Sequence, residues 1–182
     1  MSAALRRFLE AEDGTSTIEF TLFFPFFFTL FLSTFELGMF MTRQVMLDRA
    51  VDLTVRAIRL GAFDDVTREQ LHDEVRNAVC AASPSLPNCL RNLKLEMQVV
   101  DPRAWAALPG TPDCVDRKQL GKPVRQFSPG EPNDLMLLRA CLLYDPYFPT
   151  TGIASSLPRQ ANGDVALLTT TAFAIEPERP GT

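Results

Sequence analysis

Polar and apolar positions alternate only briefly at the start of this chain. Residues 1–13 mix Arg6, Arg7, Glu10, Glu12 and Asp13 with small apolar residues, and the pattern then changes abruptly. From 20 to 35, sixteen consecutive residues carry no charge, and eight of them are Phe. Extended to Ile18 and Met41 the run holds twenty-four residues. As a helix it would rise about 36 Å, more than the roughly 30 Å of a bilayer's hydrocarbon core. A core helix of a soluble domain seldom needs such length with such uniform apolarity. The pattern predicts a transmembrane helix over 15–41. Pro25 lies inside it, removes one N–H and leaves the Thr21 carbonyl unpaired, so a kink or local loosening is expected. Glu19 and Glu36 stand near its two ends, about 26 Å apart on a straight helix. Each carboxylate then reaches an interface and avoids the midplane, where a charge costs about 3 kcal/mol. Glu36 reads either as a mere marker of the span's end or as a second functional carboxylate of the membrane segment.

Beyond the run, residues 42–61 continue as an amphipathic stalk helix. Leu47, Ala50, Val51, Thr54, Ile58 and Gly61 form its apolar stripe, and Arg49, Asp52, Arg56 and Arg59 its polar face. A second helix starts at Thr67, where Thr67 and Gln70 fit a capping box and Val66 and Leu71 a hydrophobic staple. Its buried stripe is Leu71, Val75, Ala78, Val79 and Ala82, while His72 falls on the polar face as a solvated residue. Residues 83–92, with Pro84 and Pro87, are a turn region. Leu93, Leu95, Met97 and Val99 then alternate with Lys94, Glu96 and Gln98, the pattern of a strand with one wet face. Six Pro and three Gly among 101–133 predict a long surface excursion with one helical turn near 104–108, where Trp105 covers the core. Residues 134–144 are almost wholly apolar, as a central strand buried on both faces would be. Asp145-Pro146-Tyr147-Phe148-Pro149 ends that strand, and a third spans 165–175, closed by Glu176-Pro177. The expected fold class is α+β: a long N-terminal helix, a second helix, and a small antiparallel sheet of about three strands.

Composition narrows the function classes. The 182 residues carry a net charge of −4, and the 18 Lys and Arg form no dense run, which argues against a nucleic-acid partner. With one His and no C-x-x-C pair, no common zinc or redox motif can be assembled, and no metal or cofactor is expected. No phosphate-binding glycine loop, H-E-x-x-H or G-x-S-x-G is present, so no catalytic residue is assigned. Cys80, Cys89, Cys114 and Cys141 all follow the span, which suggests two disulfides in an oxidising compartment. Three pairings are possible. We favour Cys80–Cys89, pinning the second helix to the turn before the first strand, and Cys114–Cys141, stapling the broken loop to the central strand for about 3 kcal/mol.

The stretch Gly14-Thr15-Ser16-Thr17-Ile18-Glu19-Phe20 sits just ahead of the apolar core. A peptidase cutting after Gly14 would leave Thr15 as the new N-terminus and Glu19 as the fifth residue, with the anchor retained. This resembles the processing site of prepilins of the Flp and type IV classes. The longer string, Glu19-Phe20, Pro25, Glu36-Leu37-Gly38, Arg43-Gln44 and the helix that follows to residue 61, resembles the TadE-like pseudopilin family. The apolar strand before its Tyr-x-Pro-type exit and the Thr-rich terminal strand resemble the heads of that family more loosely.

The resemblance implies a minor pseudopilin of a tight-adherence (Tad) pilus and secretion system. It implies a processing site at Gly14 and Thr15, and a Glu19 that pairs with the N-terminal amine of a neighbouring subunit. A buried carboxylate needs such a partner. The implied partners are the inner membrane, a prepilin peptidase, a sister pseudopilin, the major Flp-type pilin and the Tad inner-membrane platform. The expected division is a leader over 1–14, a transmembrane helix over 15–41 and a periplasmic head over 42–182, with the N-terminus in the cytoplasm. Arg6 and Arg7 support that orientation, while Arg43, Arg49, Arg56 and Arg59 pull the other way. The leader's position and the cysteines decide it. The competing readings are a membrane-anchored periplasmic binding or sensor domain unrelated to pili, and an anchored periplasmic hydrolase.

Overall fold

One helix of 45 residues, α1 (Thr15–Arg59), carries the whole apolar run and continues without a break into the amphipathic segment. The structure, a computed structural model, describes residues 15–103, 110, 112–117, 126–150, 152–160 and 163–176. The expected leader with Gly14, the helical turn at 104–108 with Trp105, and Pro177 lie outside the described residues. After α1 come α2 (Arg68–Ala82), the short α3 (Cys89–Asn92), β1 (Leu93–Val99), β2 (Leu135–Tyr144), a 3-10 turn (Gly152–Ser156) and β3 (Val165–Ala174). The strands form one antiparallel sheet in the order β1-β2-β3, so the fold is α+β with a long N-terminal apolar helix.

Hydroxyl groups within the apolar half of α1 bond back to their own helix. Thr21 donates to the Thr17 carbonyl and Thr29 to that of Pro25, both at 2.7 Å, and Ser33 donates to that of Thr29 at 2.8 Å. These groups need no outside partner, which is the condition for placing them in an apolar medium. Helical structure passes through Pro25. At the other end, Gly61 with φ 76° stops the helix. Its N–H reaches the Ile58 carbonyl and the Ala62 N–H reaches that of Ala57, a Schellman closure that only glycine adopts without strain. Gly61 is therefore the stop of α1 and no part of its apolar stripe.

Leu47, Ala50, Val51, Thr54 and Val55 are buried, and this face of α1 lies against β3 and α2. Arg49, Asp52, Arg56 and Arg59 are exposed, as the periodicity requires. Contacts with the head begin earlier than residue 42. Gly152, with φ 54°, brings its backbone so close to Ser33 that a Cβ there would collide with the Ser33 side chain.

The second helix begins where expected, with Thr67 as its N-cap, but the capping box does not close. The Thr67 hydroxyl turns to the Gln70 side chain at 3.1 Å and caps no backbone N–H. Leu71, Val75 and Val79 are buried, whereas Ala82, the last residue of the helix, is exposed. The region expected to be plain turn at 83–92 winds into α3 after Asn88 takes a left-handed φ of 50°.

Strand β2 is central, and nine of its ten residues are buried. Strand β1 has no wet face, contrary to its alternating pattern. Lys94 Nζ meets Asp113 Oδ2 at 2.9 Å and Glu96 Oε2 meets Arg139 Nη2 at 2.6 Å, all four residues being buried. The loop after β1 folds back over this face, and its Gln126–Ser128 backbone also bonds to Met97. Val99 is exposed instead. His72 is likewise not solvated. It packs edge-on against the Phe127 ring at 5.2 Å, and burial lowers its imidazole below the usual histidine range, against a hydrogen bond with Asp73 that raises it.

Two disulfides are formed, and the second fastens this covering loop. Cys80–Cys89 joins the end of α2 to the start of α3, and Cys114–Cys141 joins the covering loop to β2. Their separations are 9 and 27 residues. In the chain-entropy picture the shorter link is worth about 2.5 kcal/mol and the longer about 3.5 kcal/mol. Replacing Cys114 and Cys141 with Ser should therefore lower unfolding free energy more than replacing Cys80 and Cys89. Denaturant titration of the two double variants checks this. The reverse order would contradict the covering role of the 114–141 link.

Candidate functional site

A glutamate in the middle of an apolar helix must find donors or remain in water, because an unpaired buried carboxylate is costly. Glu36 has found three. It is 1% exposed. Its Oε1 accepts the Tyr144 hydroxyl, and its Oε2 accepts the backbone N–H groups of Tyr147 and Phe148 at 2.9 and 3.0 Å. The sequence explains why that loop suits the task. In Asp145-Pro146-Tyr147-Phe148-Pro149 the two prolines fix φ and lack donors, so Tyr147 and Phe148 present their N–H groups side by side. Paired N–H groups of this kind make a concave anion site.

Aromatic rings close the clasp. Phe40 packs edge-on against Tyr144 at 5.3 Å, and Phe35 lies against Tyr147 at 5.8 Å and Phe148 at 6.3 Å. The Arg43 guanidinium stacks over Tyr144 at 5.0 Å and Tyr147 at 5.1 Å, and donates to the Tyr147 hydroxyl at 2.8 Å. Higher on α1, Gln44 Nε2 donates to the Leu168 carbonyl at 3.0 Å and to Asp48 at 2.9 Å, and the Thr169 hydroxyl also bonds Asp48. Arg59 pairs with Glu176 at 3.0 Å across exposed surface. The helix is thus tied to the head at three levels, and only the lowest is deeply buried.

The other residues singled out in the sequence stand apart from this cluster. Thr15 is the first residue of α1. Glu19 is exposed on the first turns and has no hydrogen-bond partner among the described residues. Every residue from 16 to 31 is exposed, including seven Phe. Among the described residues no group of three or more His, Cys, Asp or Glu is placed to hold a metal ion. What the arrangement can do is bind: a bare apolar rod with one acid near its tip, locked at its other half to a folded head. Sequence reasoning flagged Glu36 but missed Tyr144, Arg43 and the paired N–H groups. The available signal was the carboxylate itself, since an acid in so apolar a helix demands donors.

Burial pushes the Tyr144 phenol well above the usual tyrosine range, and its hydrogen bond to Glu36 adds to the shift. The folded chain holds this proton more tightly than the unfolded one. That contribution is complete below about pH 10 and is lost as pH climbs through the folded value. We expect Tyr144→Phe to cost about 1 to 3 kcal/mol at neutral pH, because Glu36 is left one donor short. The same variant should lose the part of the alkaline destabilisation that begins near pH 10. Unfolding titrations of both proteins across that range check the point, and an unchanged stability with an identical pH slope would contradict it.

Comparison with known proteins bears on the segment that carries Glu19, Pro25, Glu36 and Arg43. A family model described as TadE-like protein matches residues 14–56. No curated protein and no solved structure matches the chain. The matched segment is α1 almost to its end, together with the glycine before it. Over residues 14–56 the chain is similar to the TadE-like protein family.

Proposed function

We propose that this protein is a minor pseudopilin of a Tad-type pilus and secretion system, acting by insertion, processing and packing and not by catalysis. The observation that carries the reading is the coincidence of the family match with a helix whose residues 16–31 the described residues leave bare. The match covers 14–56, and residues 16–31 are exposed throughout. A surface of that size and apolarity is stable only in lipid or against other apolar helices. Residues 15–32 rise roughly 27 Å, close to the thickness of a hydrocarbon core. We propose 15–32 as the part of the 15–41 segment within the hydrocarbon core, a reading supported by the approach of Gly152 to Ser33.

In this reading a prepilin peptidase removes residues 1–14, the N-terminus lies on the cytoplasmic side and the disulfide-bonded head folds in the periplasm. Glu19 has no internal partner among the described residues, so it is available to the Thr15 amine of a neighbouring subunit. The sister pseudopilin, the major Flp-type pilin and the inner-membrane platform are the proposed partners, and no cofactor takes part.

The test is the mature N-terminus together with one substitution. Sequencing of the membrane-extracted chain should find Thr15 first. Glu19→Ala should leave the protein in the membrane fraction but abolish its co-purification with pilus components. A mature chain beginning downstream of Met41, or unimpaired assembly of Glu19→Ala, would overturn the proposal.

A further inference from the structure

The clasp around Glu36 places three side chains in an order that its own chemistry does not require. Phe35 and Tyr147 are 45% and 49% exposed although their rings are in contact. The Arg43 guanidinium is stacked on the Tyr147 ring. Along the helix Phe35 is three residues beyond Leu32, about 4.5 Å. Helical side chains lean toward the N-terminus, so Arg43 reaches back down α1 to the Tyr147 ring. The sequence of groups from the bare rod outward is therefore hydrocarbon ring, amphipathic ring, cation. Its one described hydrogen bond engages a single guanidinium nitrogen, and the remaining N–H groups are available to an acceptor.

We propose that this underside of the head, formed by Phe35, Tyr147 and Arg43, is seated in the phospholipid headgroup layer. The proposal rests on the membrane reading of residues 15–32 given above. Tyr is enriched where an apolar body meets a wet tip, as at a bilayer surface. Arginine offers forked donors that suit phosphate and snorkels from apolar surroundings to reach it. The occupant is set by continuity. The exposed aromatic surface begins within one helical turn of the proposed span, and the head is held there by Glu36, so it has no freedom to lift away. Seating fixes the tilt and rotation of the head relative to the membrane, which a single spanning helix alone would leave undetermined.

Depth-resolved fluorescence quenching tests this. Trp105 is the sole Trp, so Trp105→Phe gives a silent background. On it, Tyr147→Trp and Phe35→Trp report the underside by two independent positions, one on the loop and one on the helix. Leu60→Trp, at a residue 66% exposed near the far end of α1, reports the distal head, and Phe24→Trp reports the span. The full chain is reconstituted in phosphatidylcholine–phosphatidylglycerol vesicles carrying lipids brominated near the top of the acyl chain. Phe24→Trp, Tyr147→Trp and Phe35→Trp should all be quenched several-fold more than Leu60→Trp. An unquenched Phe24→Trp would overturn the membrane reading itself. Quenching at Phe24→Trp but at neither underside position would leave the span intact and overturn the seating. Blue-shifted emission at the underside without quenching would mean that a second protein surface covers it, and would also overturn the seating.

Discussion

A carboxylate taken out of water must be given donors, and Glu36 is where this chain meets that demand. The acid sits on a helix that is otherwise apolar for two dozen residues, and every one of its donors comes from a strand end more than one hundred residues away. Neither partner is independently satisfied. Without the loop, Glu36 would be an unpaired charge in an apolar setting. Without Glu36, the Tyr147 and Phe148 N–H groups and the Tyr144 hydroxyl would lose their acceptor. The mutual requirement fixes where along α1 the head begins, and so fixes how much of the helix is left uncovered.

The rest of the architecture follows from that division. Above Glu36 the helix has an amphipathic face, and it buries Leu47, Ala50, Val51 and Val55 against α2 and the sheet. Below it the helix offers apolar side chains, the hydroxyls of Thr21, Thr29 and Ser33 bonded to their own backbone, and one acid, Glu19. A head with one sheet needs both faces covered because β2 is apolar on both. One face is covered by α1 and α2. Over the other lies the described part of the loop after β1, held by the Cys114–Cys141 link and the Lys94–Asp113 pair.

Much of this was legible in the residues, and the failures have a common cause. The long helix, the second helix, the three strands and the double burial of β2 follow from local periodicity, which the tertiary structure did not override. The favoured cysteine pairing is the one the structure contains, since the turn and the central strand were placed correctly. What periodicity could not show was what covers a polar position. Lys94, Glu96 and His72 look solvated by pattern, yet a loop with no pattern folds over them. Gly61 looked like one more small residue on a stripe, whereas its positive φ makes it the stop of the helix. Glu36 was recognised as unusual, but its donors lie in backbone N–H groups, and no side-chain pattern announces those. The roles given to Glu19 and the cleavage position are proposals drawn from the family resemblance, because no hydrogen bond joins Glu19 to another of the described residues.

Hydrogen exchange at two backbone amides tests the account most directly. In the lipid-reconstituted protein the N–H groups of Tyr147 and Phe148 should exchange as slowly as those of β2, although they belong to a loop whose Tyr147 side chain is half exposed. In Glu36→Ala both should exchange at rates typical of an open loop, while the amides of β1 and β2 keep most of their protection. Fast exchange at both positions in the unmodified chain, or slow exchange that survives loss of Glu36, would show that this carboxylate does not hold the head to the helix.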